Sequence, residues 1–421
     1  MKSILINYKN FLLENKAILG AGFLLVCFGY LTQTAFIGIF TSYIKQDFLL
    51  NNTQLGNIYS IANIVSSTSL IIFAKLINKI KISYYSLGIA LLFSMACFLF
   101  AESPSKEFLL IAFVLLRFFG YGLMMHLVIS IMNKIFKKNK GKAISISLCG
   151  MIFTYSIFSL LATHILNKHS WRNVWIVFGI LSLIIFCPLI YFLSKKFEKR
   201  FYKQEKNSFI ISEPLLIMPN MKIINRRRDV LKDYKFYPIA AMLITIPLVN
   251  ISCFYFQHEL VAFKHWDFNW FINLFLLLSI TTVISSFLSG FLIDRFTAIR
   301  ILPFYLIPMF ISCLIMLFFK SLIIAYIFII GVGISNGMAT IITSTALQEC
   351  YQSTNPSSIQ SLPIFLISSV SAFFPTIIGK FFDMNFSFNN IFQFLCIWIF
   401  LLVLINYFIF YVKFKPLKSN V

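Results

Sequence analysis

Acidic side chains are scarce: the 421 residues hold 14 Asp and Glu against 36 Lys and Arg, and charged residues of both signs make up only 12%. A soluble domain carries about twice that charge, so this chain cannot cover itself with polar surface and is not read as a soluble one. Eight cysteines are present, without one Cys-x-x-Cys pair, and seven lie inside apolar runs. They are expected to be small apolar fillers rather than a disulfide framework. No phosphate-binding glycine loop, metal-ligand cluster or Ser-His-Asp arrangement stands out. That leaves no expected catalytic residue, metal or cofactor, and any work done must draw on a gradient rather than on ATP. No cleavable leader is expected either, because the apolar stretch 17–44 is too long for a signal core.

Apolar residues make up 59% of the chain, and its mean hydropathy is +0.86. A membrane span needs about 20 mostly apolar residues, and twelve such runs are found: 17–44, 55–76, 84–101, 108–133, 143–166, 171–193, 237–256, 270–293, 299–319, 322–347, 361–379 and 391–411. The runs are continuous rather than alternating, which excludes barrel strands. The expected fold is therefore an all-α membrane protein of twelve transmembrane helices in two six-helix bundles, 1–193 and 237–421, joined by a basic linker, 194–236. Of the 36 Lys and Arg, 28 fall on one side of this arrangement, 7 on the other, and Arg117 within a span. By the positive-inside rule both termini are cytoplasmic, as in a multi-pass protein of a bacterial inner membrane. The linker's 12 basic residues could meet anionic headgroups or serve only as an orientation signal. They do not suggest nucleic acid.

Two short echoes relate the halves. Ala74–Ile80 matches Gly290–Phe296, and Gly120-Tyr-Gly122 matches Gly331-Val-Gly333, at offsets of 216 and 211 residues. Such a repeat suits a transporter that rocks one half against the other about a midplane site. The stretch Gly290 to Arg295 resembles the G-x-L-x-D-R signature of the major facilitator superfamily. Arg117 followed by Gly120 and Gly122 resembles its helix 4 signature, and Ser170-Trp171-Arg172 is similar to its W-R motif. The basic stretch Phe136 to Gly150 is similar to the monocarboxylate and oxalate/formate-type branch. Departures are Asn78 and Lys79 in place of Asp and Arg, Lys81 and Thr297 in place of a following Gly, and no helix 5 Gly-Pro. The resemblance implies a secondary active transporter working by alternating access. It also implies that Asp294 and Arg295, with Asn78 and Lys79, take part in gating; the plainer alternative is a turn with a basic anchor.

Arg117 is the one charge deep in a span, roughly 13 Å from the helix end by helical rise. Placing it there costs at least about 2.5–3.5 kcal/mol, and no deep Asp or Glu neutralises it. Three roles are open: contact with an anionic substrate, which a guanidinium holds in bidentate fashion, coupling or gating, and bracing. Tyr30, Gln33 and Thr34 share a helix face by their i, i+3, i+4 spacing. Ser60, Asn63 and Ser67 form a second row, and Asn336 leads a third. Tyr155 and Asn250 stand nearly alone. These groups either line a cavity or join helices. His126 lies half a turn round from Arg117, and His258 is placed as a titratable gate. Gly120, Gly122, Gly331, Gly333 and Gly337 would allow close helix packing. The 51 phenylalanines suggest no aromatic box. Arg172 is expected to tolerate Lys far better than Arg117 does. The favoured substrate is a small organic anion, a monocarboxylate, moved by proton symport or exchange, with the lipid bilayer as surroundings and no oligomer required. The alternatives are a carrier or efflux pump for neutral or cationic solutes, and a nontransporting membrane sensor or enzyme.

Overall fold

The computed structural model describes residues 11–73, 76–77, 79–136, 140–208, 227–351 and 356–412. Twelve long helices follow one another: α1 (Lys16–Thr32 and Thr34–Asp47), α2 (Asn52–Phe73), α3 (Ile82–Ala101), α4 (Lys106–Ile135), α5 (Gly141–Leu166), α6 (Trp171–Tyr202), α7 (Phe236–Tyr255), α8 (Phe268–Phe296), α9 (Ala298–Phe318), α10 (Leu322–Cys350), α11 (Pro356–Asp383) and α12 (Phe388–Phe410). No strand occurs among the described residues. Nine of these helices are long and apolar enough to cross a membrane, and the bent α1 makes ten. α2 and α11 are 22 and 28 residues long. The architecture is the twelve-helix, all-α membrane fold. α6 runs past its expected end at Leu193, and its last turns reach Ile80, Ile82 and Ser83: Tyr202 Oη donates to Ile80 O at 3.1 Å and accepts from Ile82 N, and Ser83 donates to Glu198 at 2.5 Å.

Several helices are broken where polar side chains sit. α1 bends by 46° at Gln33, whose backbone is extended and whose Oε1 accepts the Thr34 N–H at 3.1 Å. The helix thus restarts at Thr34, leaving the Thr32 carbonyl without its usual intrahelical donor. π-helical turns occupy Phe118–Met124 in α4, Thr154–Phe158 in α5 and Ile251–Tyr255 in α7. Such turns are frequent at functional sites. Here they follow Arg117, contain Tyr155 and follow Asn250.

The chain forms two compact units, residues 1–50 with 58–214, and residues 51–57 with 215–421. In the first, α1 and α5 meet backbone to backbone at Gly150, where any Cβ would collide with Phe23 O. Ser94 of α3 donates to Gly179 O of α6 at 2.7 Å. Phe36, Phe40, Phe100, Trp175 and Phe178 fill the core between them.

In the second unit, Gly333 and Gly337 of α10 lie against Thr281 and Thr282 of α8, and a Cβ on Gly331 would sit 2.5 Å from Pro308 O of α9. Lys264 is buried, and its ammonium donates to Met316 O and, at 2.9 Å, to Phe319 O, closing the C-terminal end of α9. Burial, helped by the neighbouring Lys320, pulls its pKa down to about 8.

Two terminal contacts in this unit carry predictions. Glu349 caps the start of α9 by accepting Ala298 and Ile299 N–H at 2.9 Å each. The preceding Thr297 has φ 67 and ψ 150, a region that only glycine enters without strain of about 1–3 kcal/mol. Thr297→Gly should therefore raise the thermal midpoint, by roughly 1 kcal/mol of stability; a lowered midpoint would mean that the threonine side chain makes a contact worth more than the strain.

At the start of α2, the Asp383 carboxylate accepts Asn52 N–H at 3.1 Å, Thr53 N–H at 2.8 Å and the Thr53 hydroxyl at 2.5 Å. Partial burial alone would raise its pKa; the Thr53 hydroxyl and the two N–H groups outweigh this and hold it below the usual carboxylate range. A depressed folded-state pKa means stability that is present above the ordinary carboxylate pKa and is lost as pH falls through the lowered one. Because the group is exposed, Asp383→Asn should cost only about 0.5–1 kcal/mol at neutral pH. The difference from wild type should vanish in acid, and an equal difference at pH 7 and in acid would remove the capping account.

Candidate functional site

The break in α1 and the π turn in α4 bring one cluster together in the first unit. Arg117 is 9% exposed. Its Nε donates to Asn63 Oδ1 of α2 at 2.8 Å, and its Nη1 donates to the Thr32 carbonyl opened by the bend. Two of five guanidinium donors are thereby used. The other three have no partner among the described residues, and no carboxylate there pairs with the group. The cation stands over the Tyr59 ring at 5.0 Å and the Tyr121 ring at 5.9 Å.

Around it the partners interlock. Thr32 Oγ1 accepts the Tyr121 N–H at 2.8 Å, Thr34 Oγ1 and Tyr59 Oη share a hydrogen bond of 3.0 Å, and Gln33 hydrogen-bonds the Tyr121 phenol. Tyr30 meets Tyr121 and Tyr155 edge to face, with ring centroids 6.0 and 5.9 Å apart. The expected set Arg117, Tyr30, Gln33, Thr34, Asn63 and Tyr155 thus converges on one place. Four tyrosines from α1, α2, α4 and α5 meet there: Tyr30, Tyr59, Tyr121 and Tyr155. Tyr59, Tyr121 and the Thr32 carbonyl were missed. Tyr59 precedes Asn63 by four residues, so helical spacing was a usable signal there; Tyr121 lies inside the π turn, where straight helical counting does not hold.

The second unit holds a separate polar pair. Asn336 Nδ2 of α10 donates to Asn250 Oδ1 of α7 at 3.3 Å, while Asn336 Oδ1 is buried without a partner among the described residues. Phe328, which matches Arg117 in the repeat, is fully buried between Phe254 and Phe392. The two halves are thus chemically unlike at this position.

The remaining expected residues lie elsewhere. His258 stacks flat on Phe268 with centroids 3.9 Å apart. His126 packs with its Nδ1 buried and unpartnered. Asn78 and the side chain of Asp294 lie outside what the structure describes. Lys79 is exposed in the α2–α3 turn, and Arg295 is exposed with its guanidinium 5.3 Å from the Phe296 ring. A Cβ on Gly120 would press on Thr32, 2.5 Å from its Cγ2, whereas Gly122 faces only its own helix at Arg117 O. Among the described residues no group of three His, Cys, Asp or Glu side chains could hold a metal ion.

The guanidinium is thus held by two bonds and keeps three donors with no carboxylate partner among the described residues. Each charge-assisted bond contributes about 1.5–3 kcal/mol in such surroundings.

The Major Facilitator Superfamily model matches residues 22–375. Among solved structures the chain is similar to a bacterial homolog of the human lysosomal transporter Spinster, with a TM-score of 0.64 at 12% identity, covering 94% of this chain and 96% of that one. It is similar also to the nucleoside transporter NupG, with a TM-score of 0.64 at 12% identity, covering 92% and 98%. At these identities the likeness shows the fold alone. No curated protein sequence matches the chain.

Proposed function

Since the chain belongs to the major facilitator superfamily, we propose that it is a secondary active transporter of a small organic anion, a monocarboxylate, working by alternating access through proton symport or exchange. The observation that carries this reading is Arg117, buried beside Asn63 and Thr32 with three donors unpaired and no carboxylate partner among the described residues. An arriving carboxylate supplies the missing charge. In proton symport the carboxylate would cross with a proton held on a neighbouring group; in exchange it would be traded for a second carboxylate. The inner membrane of a bacterium, with both chain termini in the cytoplasm, is the proposed location.

A second reading, a neutral polar solute, draws on the Asn250–Asn336 pair, whose buried Asn336 Oδ1 accepts no hydrogen bond among the described residues. An uncharged amide or hydroxyl donor would suit it. Uptake into proteoliposomes separates the two. Labelled monocarboxylates should accumulate, faster with an inward proton gradient or with unlabelled carboxylate inside. Uptake of a labelled nucleoside, with none of any carboxylate under either condition, would reject the anion reading in favour of the second.

A further inference from the structure

The four tyrosines narrow the substrate class beyond a charge. Tyr30 and Tyr121 are only half-buried, so ring surface stays uncovered in the cluster: Tyr121 flanks the guanidinium, and Tyr30 packs edge to face on Tyr121. The Tyr59 and Tyr121 rings flank the cation, their centroids 5.0 and 5.9 Å from its central carbon. Tyr30 stands nearly perpendicular to both Tyr121 and Tyr155, at 80° and 84°, and its hydroxyl makes no hydrogen bond among the described residues. A carboxylate on the open donors of Arg117 would thus carry its body along aromatic walls rather than aliphatic ones. Aromatic pairs favour offset or edge-to-face contact at centroid separations of about 4.5–7 Å, the same range in which these rings already meet one another.

Resting on the anion reading above, we propose that this site selects carboxylates attached directly, or through a short spacer, to a flat aromatic ring: the carboxylate binds Arg117, the ring packs against Tyr30 with Tyr121 and Tyr155 beside it, and the Tyr30 hydroxyl is free for a polar substituent.

Benzoate and cyclohexanecarboxylate test this, since they share charge and outline. The saturated acid is the more apolar of the two, so a merely greasy site would prefer it. Binding to the purified full-length protein is measured by calorimetry. Benzoate should bind about fivefold tighter than cyclohexanecarboxylate. Tyr30→Leu should erase that preference and Tyr30→Phe should keep it. Equal or weaker binding of benzoate, or binding of neither, overturns the aromatic proposal, and the wild-type comparison requires no variant to fold. If both acids then weaken together in Arg117→Gln, the anion reading stands without it. Benzamide binding as tightly as benzoate would instead sink the anion reading, whatever the ring preference.

Discussion

Arg117→Gln is expected to abolish carboxylate uptake while leaving the protein inserted and folded. The glutamine removes the formal charge and at least two of the three open donors. Two lost charge-assisted bonds at about 1.5–3 kcal/mol each correspond to a fall of at least 10²-fold in kcat/KM. Folding should change little, because two effects oppose one another. The variant loses the bonds to Asn63 Oδ1 and Thr32 O, and it also escapes the roughly 2.5–3.5 kcal/mol of holding a guanidinium in the membrane. Arg117→Lys should fall between, since an ammonium keeps the charge and loses the planar fork. Size-exclusion profiles and thermal midpoints report folding, and proteoliposome uptake reports transport. Unchanged uptake kinetics in Arg117→Gln would reject both substrate contact and coupling, leaving the residue as a brace.

The second large effect concerns Arg172, which is expected to tolerate Lys far better than Arg117 does in transport, yet at a cost in stability. In the structure its Nη2 and Nε both reach Asp47 Oδ2, at 2.9 and 3.1 Å. Its Nη1 donates to Ala101 O at 2.6 Å and Ser103 O at 3.0 Å, where α3 ends. Trp171 Nε1 joins on the same Asp47 oxygen at 3.1 Å. One rigid fork thus ties the end of α1, the end of α3 and the start of α6. A lysine head is a single point and cannot reach Asp47 and both carbonyls at once. The ion pair is partly exposed, with 29% and 41% of the side chains open, so its Coulombic share is modest. The α3 carbonyls left without a donor account for most of the loss. Arg172→Lys should cost about 2 kcal/mol and Arg172→Ala about 3, seen as lower thermal midpoints with transport per folded molecule preserved. A lysine variant as stable as wild type would show that the fork is not what ties these helix ends together.

How far the sequence could be read depended on the kind of signal. Helices such as α9 and α12 are nearly unbroken apolar runs, so their existence follows from composition alone. α2 is weaker because Asn57, Ser60, Asn63, Ser66 and Ser67 interrupt it, yet Asn63 is the residue that orients Arg117. The individual polar residues were visible as helix-face rows, and their convergence was not. Convergence depends on the bend at Gln33 and on the π turn Phe118–Met124, and neither follows from a period of 3.6. A π turn takes an extra residue, shifting later side chains by about 100°. Placing His126 half a turn from Arg117 by straight helical counting is therefore unsound, although its packed, unpartnered ring gives it no part in the cluster. Tyr59 and Tyr121 escaped notice because a chain with 51 phenylalanines makes any single aromatic look like filler. What distinguishes them is a hydroxyl with a partner and a cation over the ring.

Thermal unfolding of the purified protein with carboxylates and with their uncharged amides reaches the central point most directly. A ligand that binds only the folded state adds about 2.7 kcal/mol at a hundredfold excess over its Kd, enough to move a midpoint visibly. Guanidinium donors waiting for an anion predict that at least one carboxylate raises the midpoint, that its amide does not, and that Arg117→Gln removes the rise. A rise that is equal for acid and amide, or that survives in Arg117→Gln, would contradict the account.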